Sequence, residues 1–173
     1  MSRWLTWLPL GVLAALGVLF VGYALRHDPH VNPHALVGKP VPRVAMLPLD
    51  GGPPLEVRAA AKGPMLVNFY FSTCAPCIEE EPALMALKAE GTTIVGVAYK
   101  DPADRTRAFL NANGNPFATV LMDPDGRASV EWGVTGAPET FAVTASGMIV
   151  GKHSGALTPE DAEALVERLA RAR

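Results

Sequence analysis

Met65-Leu-Val-Asn-Phe-Tyr-Phe71 leads through Ser72 and Thr73 into Cys74-Ala-Pro-Cys-Ile-Glu-Glu-Glu-Pro82. The first run is apolar and rich in strand-forming residues, and it follows Gly63-Pro64, so it reads as a buried central strand. Residues 75–90 read as a helix, with Pro82 deep enough to remove a helical hydrogen bond and kink it. Cys74 and Cys77 are the only cysteines of the chain, so any disulfide closes this one small ring. A dithiol set between a strand and a helix is the arrangement of a redox site. Unpaired N–H groups and the dipole at the helix start favour a thiolate at Cys74, which is expected to be the exposed nucleophile. Cys77, one turn further in, is expected to resolve the mixed disulfide. Pro76 is tolerated there because first-turn amides have no intrahelical partner.

Outward from this stretch, Thr92–Tyr99 reads as a second buried strand and Ala118–Met122 as a third, followed by a turn at Asp123-Pro-Asp-Gly126. Asp101 and Pro102 are expected as N-cap and first residue of a helix ending near Asn113-Gly114. Thr140–Thr144 and Met148–His153 bracket Ala145-Ser-Gly147 as a hairpin. Val44–Leu49 and Leu55–Val57 flank Asp50-Gly-Gly-Pro-Pro54 as a short hairpin or edge pair. A last helix opens at Thr158-Pro-Glu-Asp161 and buries Ala162, Leu165, Val166 and Leu169 on one face. The order β-β-β-α-β-α-β-β-β-α makes an α/β sandwich on a central sheet.

The 173 residues carry a formal net charge of −2, with Lys and Arg scattered and no phosphate-binding glycine loop. Nucleic acid and nucleotides are therefore not expected partners. Trp7–Leu25 is uncharged and apolar or small, spanning roughly 28 Å at ~1.5 Å per residue. Residues 1–25 are read as a membrane anchor; the competing reading is a cleaved signal with Gly22-Tyr-Ala24 as its small-x-small triplet. Against cleavage, the run exceeds a signal core of about 7–15 residues and the triplet lies inside it. The short tail before the anchor favours export of the large domain, although the positive-inside rule barely discriminates. Residues 26–37, with His27, His30 and His34 among prolines, read as a solvated spacer rather than a metal site. Residues 38–173 form one folded domain. No metal and no cofactor is expected: zinc needs about four ligands, and haem attachment needs a histidine where Ile78 stands.

Phe71–Pro82 resembles the active-site segment of membrane-anchored bacterial thioredoxin-like proteins. Gly133-Val-Thr-Gly-Ala-Pro-Glu-Thr-Phe141, Val97-Ala-Tyr-Lys-Asp101 and Gly114-Asn-Pro-Phe117 are similar to segments of the cytochrome c maturation branch, the CcmG/DsbE family. The likeness runs in order over roughly residues 36–171. It implies a thioredoxin-like fold: a central mixed sheet flanked by helices, with an N-terminal β extension and a central insertion. It also implies a thiol:disulfide interchange protein anchored in the bacterial inner membrane through residues 7–25, its C-terminal domain in the periplasm. A membrane donor would keep Cys74 and Cys77 reduced, and electrons would pass to the haem-binding Cys-x-x-Cys of apocytochrome c or to a partner thiol protein.

Pro138 matches the cis-proline facing the dithiol, and Ala137 before it would offer backbone groups to an extended client. Thr73, Ala75 and Pro76 with Ala137, Pro138 and Glu139 make up the implied docking rim. Glu80 matches the family acid three positions after the second cysteine, and Glu139 the acid after the cis-proline. A buried carboxylate near Cys77 would take that thiol's proton; Glu80 is read for this role beside the alternative of a solvated helix face with Glu79 and Glu81. Three positions depart from the pattern. Thr73 stands where Trp is usual, Thr135 replaces a common aromatic, and Asn68 stands where cytoplasmic thioredoxins bury an Asp. Three further readings stay open: a broader reductase for other exported proteins such as copper-site assembly factors, an oxidase that inserts disulfides, and a docking module without turnover.

Overall fold

The computed structural model describes residues 4–24 and 36–172, so residues 26–35 of the expected linker, including His27, His30 and His34, lie outside the described residues. Two units are distinct, Met1–Val31 and Asn32–Arg173. In the first, helix α1 spans Trp4–Ala24 and contains Pro9. Among the described residues no helix is long and apolar enough to cross a membrane; the side chains of α1 are described over 7–23 only.

The second unit is built on six strands: β1 (Leu47–Pro48), β2 (Met65–Tyr70), β3 (Ile94–Tyr99), β4 (Thr119–Asp123), β5 (Glu139–Val143) and β6 (Ile149–Ser154). They lie in the order β1-β4-β3-β2-β5-β6. β2 pairs parallel with β3 and antiparallel with β5, so the strand that feeds the dithiol is central and all six of its residues are buried. The sheet is mixed and flanked by helices, as expected of the resembled fold. β4 extends it at the β3 edge, with α5 (Ala103–Asn113) before it and α6 (Arg127–Glu131) after it. β1 closes that edge against β4.

Period-two alternation along β2 sorts the core into two layers. Leu66 and Tyr70 face a layer holding Cys74, Cys77, Leu84 and Leu87 of α3 (Ala75–Glu79) and α4 (Glu81–Ala89), Phe109 of α5, and Leu165 of α7 (Pro159–Arg171). Met65, Val67 and Phe69 face the other layer, with Val57 of α2 (Val57–Ala60), Trp132 and Phe141. In the first layer Tyr70 stacks on Phe117 at 4.9 Å, and Gly96 is required beneath that ring because a Cβ there would meet it at 2.8 Å.

Four local expectations change. The hairpin at 44–57 shrinks to one bridge, Met46 with Leu55, because Leu47–Pro48 pairs with β4 and Val57 begins a helix. The helix read over 75–90 is two helices meeting at Glu80, since Pro82 has no N–H to continue the ladder. Pro102, not Asp101, occupies the N-cap position of α5, because the Asp101 carboxylate is turned to Ser72 and Thr106. Behind the turn at 123–126 lies α6, unread from sequence; Asp123 accepts from the N–H groups of Ala128 and Ser129 at its start. The last helix opens as expected, with a capping box between Thr158 and Asp161.

Candidate active site

Cys74 is the N-cap of α3 and is joined to Cys77, their Cα atoms 5.2 Å apart. The Cys77 N–H donates to Cys74 Sγ at 3.2 Å. Pro76 sits in the first turn, where its missing N–H leaves nothing unpaired, so the amide that remains is aimed at sulfur. That donor and the helix start stabilise negative charge on Cys74 once the ring opens. The exposed Cys74 expected from sequence is corrected: in the disulfide form it is only 3% exposed. The Ala137 carbonyl oxygen lies 3.6 Å from its Sγ and covers it.

Ala137 and Pro138 are joined by a cis peptide bond. Thr73, Ala75 and Pro76 are exposed beside the disulfide and Ala137 is half-buried, whereas Pro138 is buried. The approach to Cys74 is clamped from β3's end, where Asp101 accepts from Ser72 N–H at 3.0 Å and Ser72 Oγ at 2.7 Å. Thr106 Oγ1 holds the same carboxylate at 2.8 Å. Sequence reading treated Asp101 as a helix cap and missed this clamp. Nothing in the local pattern separates the two uses of an Asp before Pro.

Glu80 is fully buried at the junction of α3 and α4, not on a solvated face. Asn68 Nδ2 donates to its Oε1 at 2.8 Å, and the Leu157 N–H to its Oε2 at 3.0 Å. Burial outweighs these two donors and pushes its pKa up to about 7. Cys77 and Glu80 are three residues apart across one helical turn, the spacing at which side chains share a face. Glu81 was missed. It is buried too, its Oε1 has no partner among the described residues, and burial followed by the charge of Glu80 raises its pKa to about 7. A helical signal pointed to it, since Glu81, Leu84 and Leu87 form the buried stripe of α4. Tyr70 belongs to the same cluster: burial, then Asp101 and Glu81, push its hydroxyl's pKa up.

Glu139 is not brought to the dithiol's side of the sheet. It pairs in register with Phe69, and so faces the layer of Trp132 and Phe141. Lys152 meets it at 2.9 Å, with neither side chain more than 2% exposed. Thr135 Oγ1 donates to its other oxygen at 2.8 Å and Ser154 Oγ at 3.1 Å. Lys152 also donates to the Gly133 carbonyl at 3.3 Å. The Glu139 carboxylate is therefore buried away from a docking client and ties down the segment 133–138 that carries Ala137.

A strand-borne dithiol that opens a helix, with a cis-proline segment against its first sulfur, defines a thiol:disulfide oxidoreductase of thioredoxin-like fold. The redoxin family model matches residues 36–168, and the chain belongs to that family. The thiol:disulfide interchange protein HelX of Rhodobacter capsulatus is 39% identical over 163 residues, which cover 92% of each chain. The thiol:disulfide interchange protein DsbE of Escherichia coli is 34% identical over 165 residues, 92% of this chain and 89% of that one. Among solved structures, a Chlorobium tepidum protein described as a thiol:disulfide interchange protein DsbE aligns with a TM-score of 0.65 and 26% identity. That alignment covers 79% of this chain and 96% of the other.

Proposed function

We propose that this oxidoreductase is a reductant in cytochrome c assembly, passing electrons to the haem-binding Cys-x-x-Cys of apocytochrome c or to a partner thiol protein. The observation that carries the reading is the Cys77 N–H on Cys74 Sγ, with the buried Glu80 one turn behind. In the reduced protein the Cys74 thiolate attacks a client disulfide, forming a mixed disulfide and releasing one client sulfur as thiolate. The Cys77 thiol then gives its proton to Glu80 and attacks Cys74 Sγ. The Cys74–Cys77 bond forms, the bond to the client breaks, and the client's second sulfur leaves as thiolate. Two electrons pass to the client, and a membrane donor restores the dithiol.

The segments that resemble the maturation branch support this client class, and the names of the relatives support thiol:disulfide interchange. Residues 1–25 serve as an inner-membrane anchor, 26–37 as a spacer and 38–173 as the periplasmic redox domain. The uncharged, apolar or small run over residues 7–25 of the sequence supports the anchor. Thr73, Ala75, Pro76 and Ala137 form the docking rim, and Pro138 and Glu139 hold its shape from beneath.

A broader reductase for other exported proteins is favoured by one observation: exposed Thr73 offers no flat apolar surface where the family usually has Trp. A Cys77→Ser variant, unable to resolve, separates the two by trapping its client as a mixed disulfide. Trapped apocytochrome c or a cytochrome assembly thiol protein is expected; exclusive capture of other exported proteins would overturn the assembly role.

A further inference from the structure

Asn68 is the one polar residue in the middle of the central strand, fully buried between Glu80 and Thr140. Its Nδ2 donates to Glu80 Oε1 at 2.8 Å and to Thr140 Oγ1 at 3.0 Å, while its Oδ1 has no partner. Thr140 Oγ1 accepts from Asn68, and among the described residues nothing takes its own proton. In this orientation the amide suits an ionised Glu80, and an acceptor and a hydroxyl proton are left over.

We infer that Asn68 is a two-position amide that follows the proton on Glu80. With Glu80 as carboxylate, Nδ2 donates to Oε1 and to Thr140 Oγ1, as the structure shows. When Glu80 takes a proton on Oε1, that oxygen becomes a donor facing a donor. A half-turn of the amide about its last side-chain bond then brings Oδ1 to the same place. Oδ1 has two lone pairs, enough to accept from both the Glu80 O–H and the Thr140 O–H. The amide's O and NH2 ends are nearly identical in size, so the turn needs no extra volume in a packed core. Either way two hydrogen bonds stand and one amide end is left over. Neither protonation state of Glu80 strands a buried donor or acceptor of the carboxyl itself. An Asp at 68 would add a second charge, and an apolar residue would serve neither state.

The inference deepens the proposed role of Glu80 as acceptor of the Cys77 proton and rests on that reading. Asn68 touches neither sulfur nor client among the described contacts, so it is a positioning residue. The other groups around Glu80 leave the switch to Asn68. Leu157 N–H, from the segment before α7, donates to Oε2 in both states. Glu81, the next residue, is buried and makes no hydrogen bond to the Glu80 carboxyl among the described residues; the charge of Glu80 raises its pKa. Cys77 lies one turn before Glu80, and Cys74 three residues earlier still. From the β5–β6 side comes the Thr140 hydroxyl; His153, its register partner, is engaged with the Ala156 carbonyl and Asp161.

The test is a pH titration of the full-length oxidised chain in detergent micelles, with asparagine side-chain nitrogens and glutamate carboxyl carbons labelled for NMR. The Asn68 NH2 and Glu80 carboxyl signals should move together with one midpoint, near 7 for Glu80. Cross-peaks from the Asn68 NH2 protons to the Thr140 side chain should be present above that midpoint and lost below it. Glu80→Gln should make the Asn68 signals independent of pH. Asn68→Leu should slow resolution by Cys77 about tenfold, a part of what a positioned base supplies. An Asn68 amide that keeps its Thr140 cross-peaks while Glu80 titrates would overturn the inference. These signals are read with no client present, so a failed client trap in Cys77→Ser bears on the proposed function alone.

Discussion

Glu80 and Glu139 are two glutamates buried to the same depth, each within a few residues of a signature proline or cysteine, on opposite faces of one sheet. On the dithiol face Glu80 meets only neutral donors, Asn68 and the Leu157 N–H, with acidic Glu81 beside it. On the other face Glu139 meets the ammonium of Lys152 and two hydroxyls. The Lys152 ammonium and the two hydroxyls make Glu139 a structural tie. Burial outweighs two neutral donors at Glu80 and lets it gain and lose a proton at about pH 7. Two equally buried carboxylates thus have different surroundings: a cation stands against Glu139 and none against Glu80.

The largest effect should come from removing the ammonium. Lys152→Met leaves the Glu139 carboxylate buried without its counter-charge, and unfolding free energy should fall by about 3–5 kcal/mol in urea titrations. The double variant with Glu139→Gln should recover part of this. A loss confined to Lys152→Met and absent from the pair would sharpen the contrast, whereas a neutral Lys152→Met would break it.

On the dithiol face the prediction concerns pH. Glu80 and Glu81 have folded pKa values raised from 4.5 to about 7. Each then binds more protons folded than unfolded between those values, so stability is full below about pH 4.5 and falls as pH rises through about 7. Each acid contributes at most about 3 kcal/mol, and the coupled pair less than the sum. Glu81→Gln should flatten part of this slope in urea midpoints at about pH 5 and about pH 8. An unchanged slope would mean that Glu81 carries no such penalty.

Catalysis gives the next test. Glu80→Gln should slow resolution of the mixed disulfide about 100-fold at neutral pH and remove its pH dependence near pH 7, measured by stopped-flow with a model disulfide. The smallest effect belongs to Thr135→Val, which removes one donor from Glu139 and leaves Lys152 and Ser154 in place. A loss of about 1 kcal/mol is expected, with the resolution rate unaffected.

Much of this frame was legible from residues. The central strand, the hairpin of β5 and β6, the capped last helix and the dithiol at a helix start all carry local signals of period, turn chemistry and capping. What escaped depends on groups distant in sequence. Asp101 looks like a cap beside Pro102, yet Ser72, 29 residues earlier, claims its carboxylate. α6 was hidden in a turn because Asp123 caps it from five residues upstream. Glu79, Glu80 and Glu81 read alike in a row, and only the helix break at Glu80 sends the second and third inward while the first stays exposed. The face that Glu139 occupies follows from its register with Phe69, which no local pattern reveals.

The reduction potential of the Cys74–Cys77 couple in the full-length protein tests the reductant reading most directly, by thiol trapping across defined redox buffers. A value between roughly −270 and −180 mV is expected for a dithiol that a membrane donor keeps reduced and that passes electrons on. A value near about −120 mV would contradict it and make the protein an oxidase.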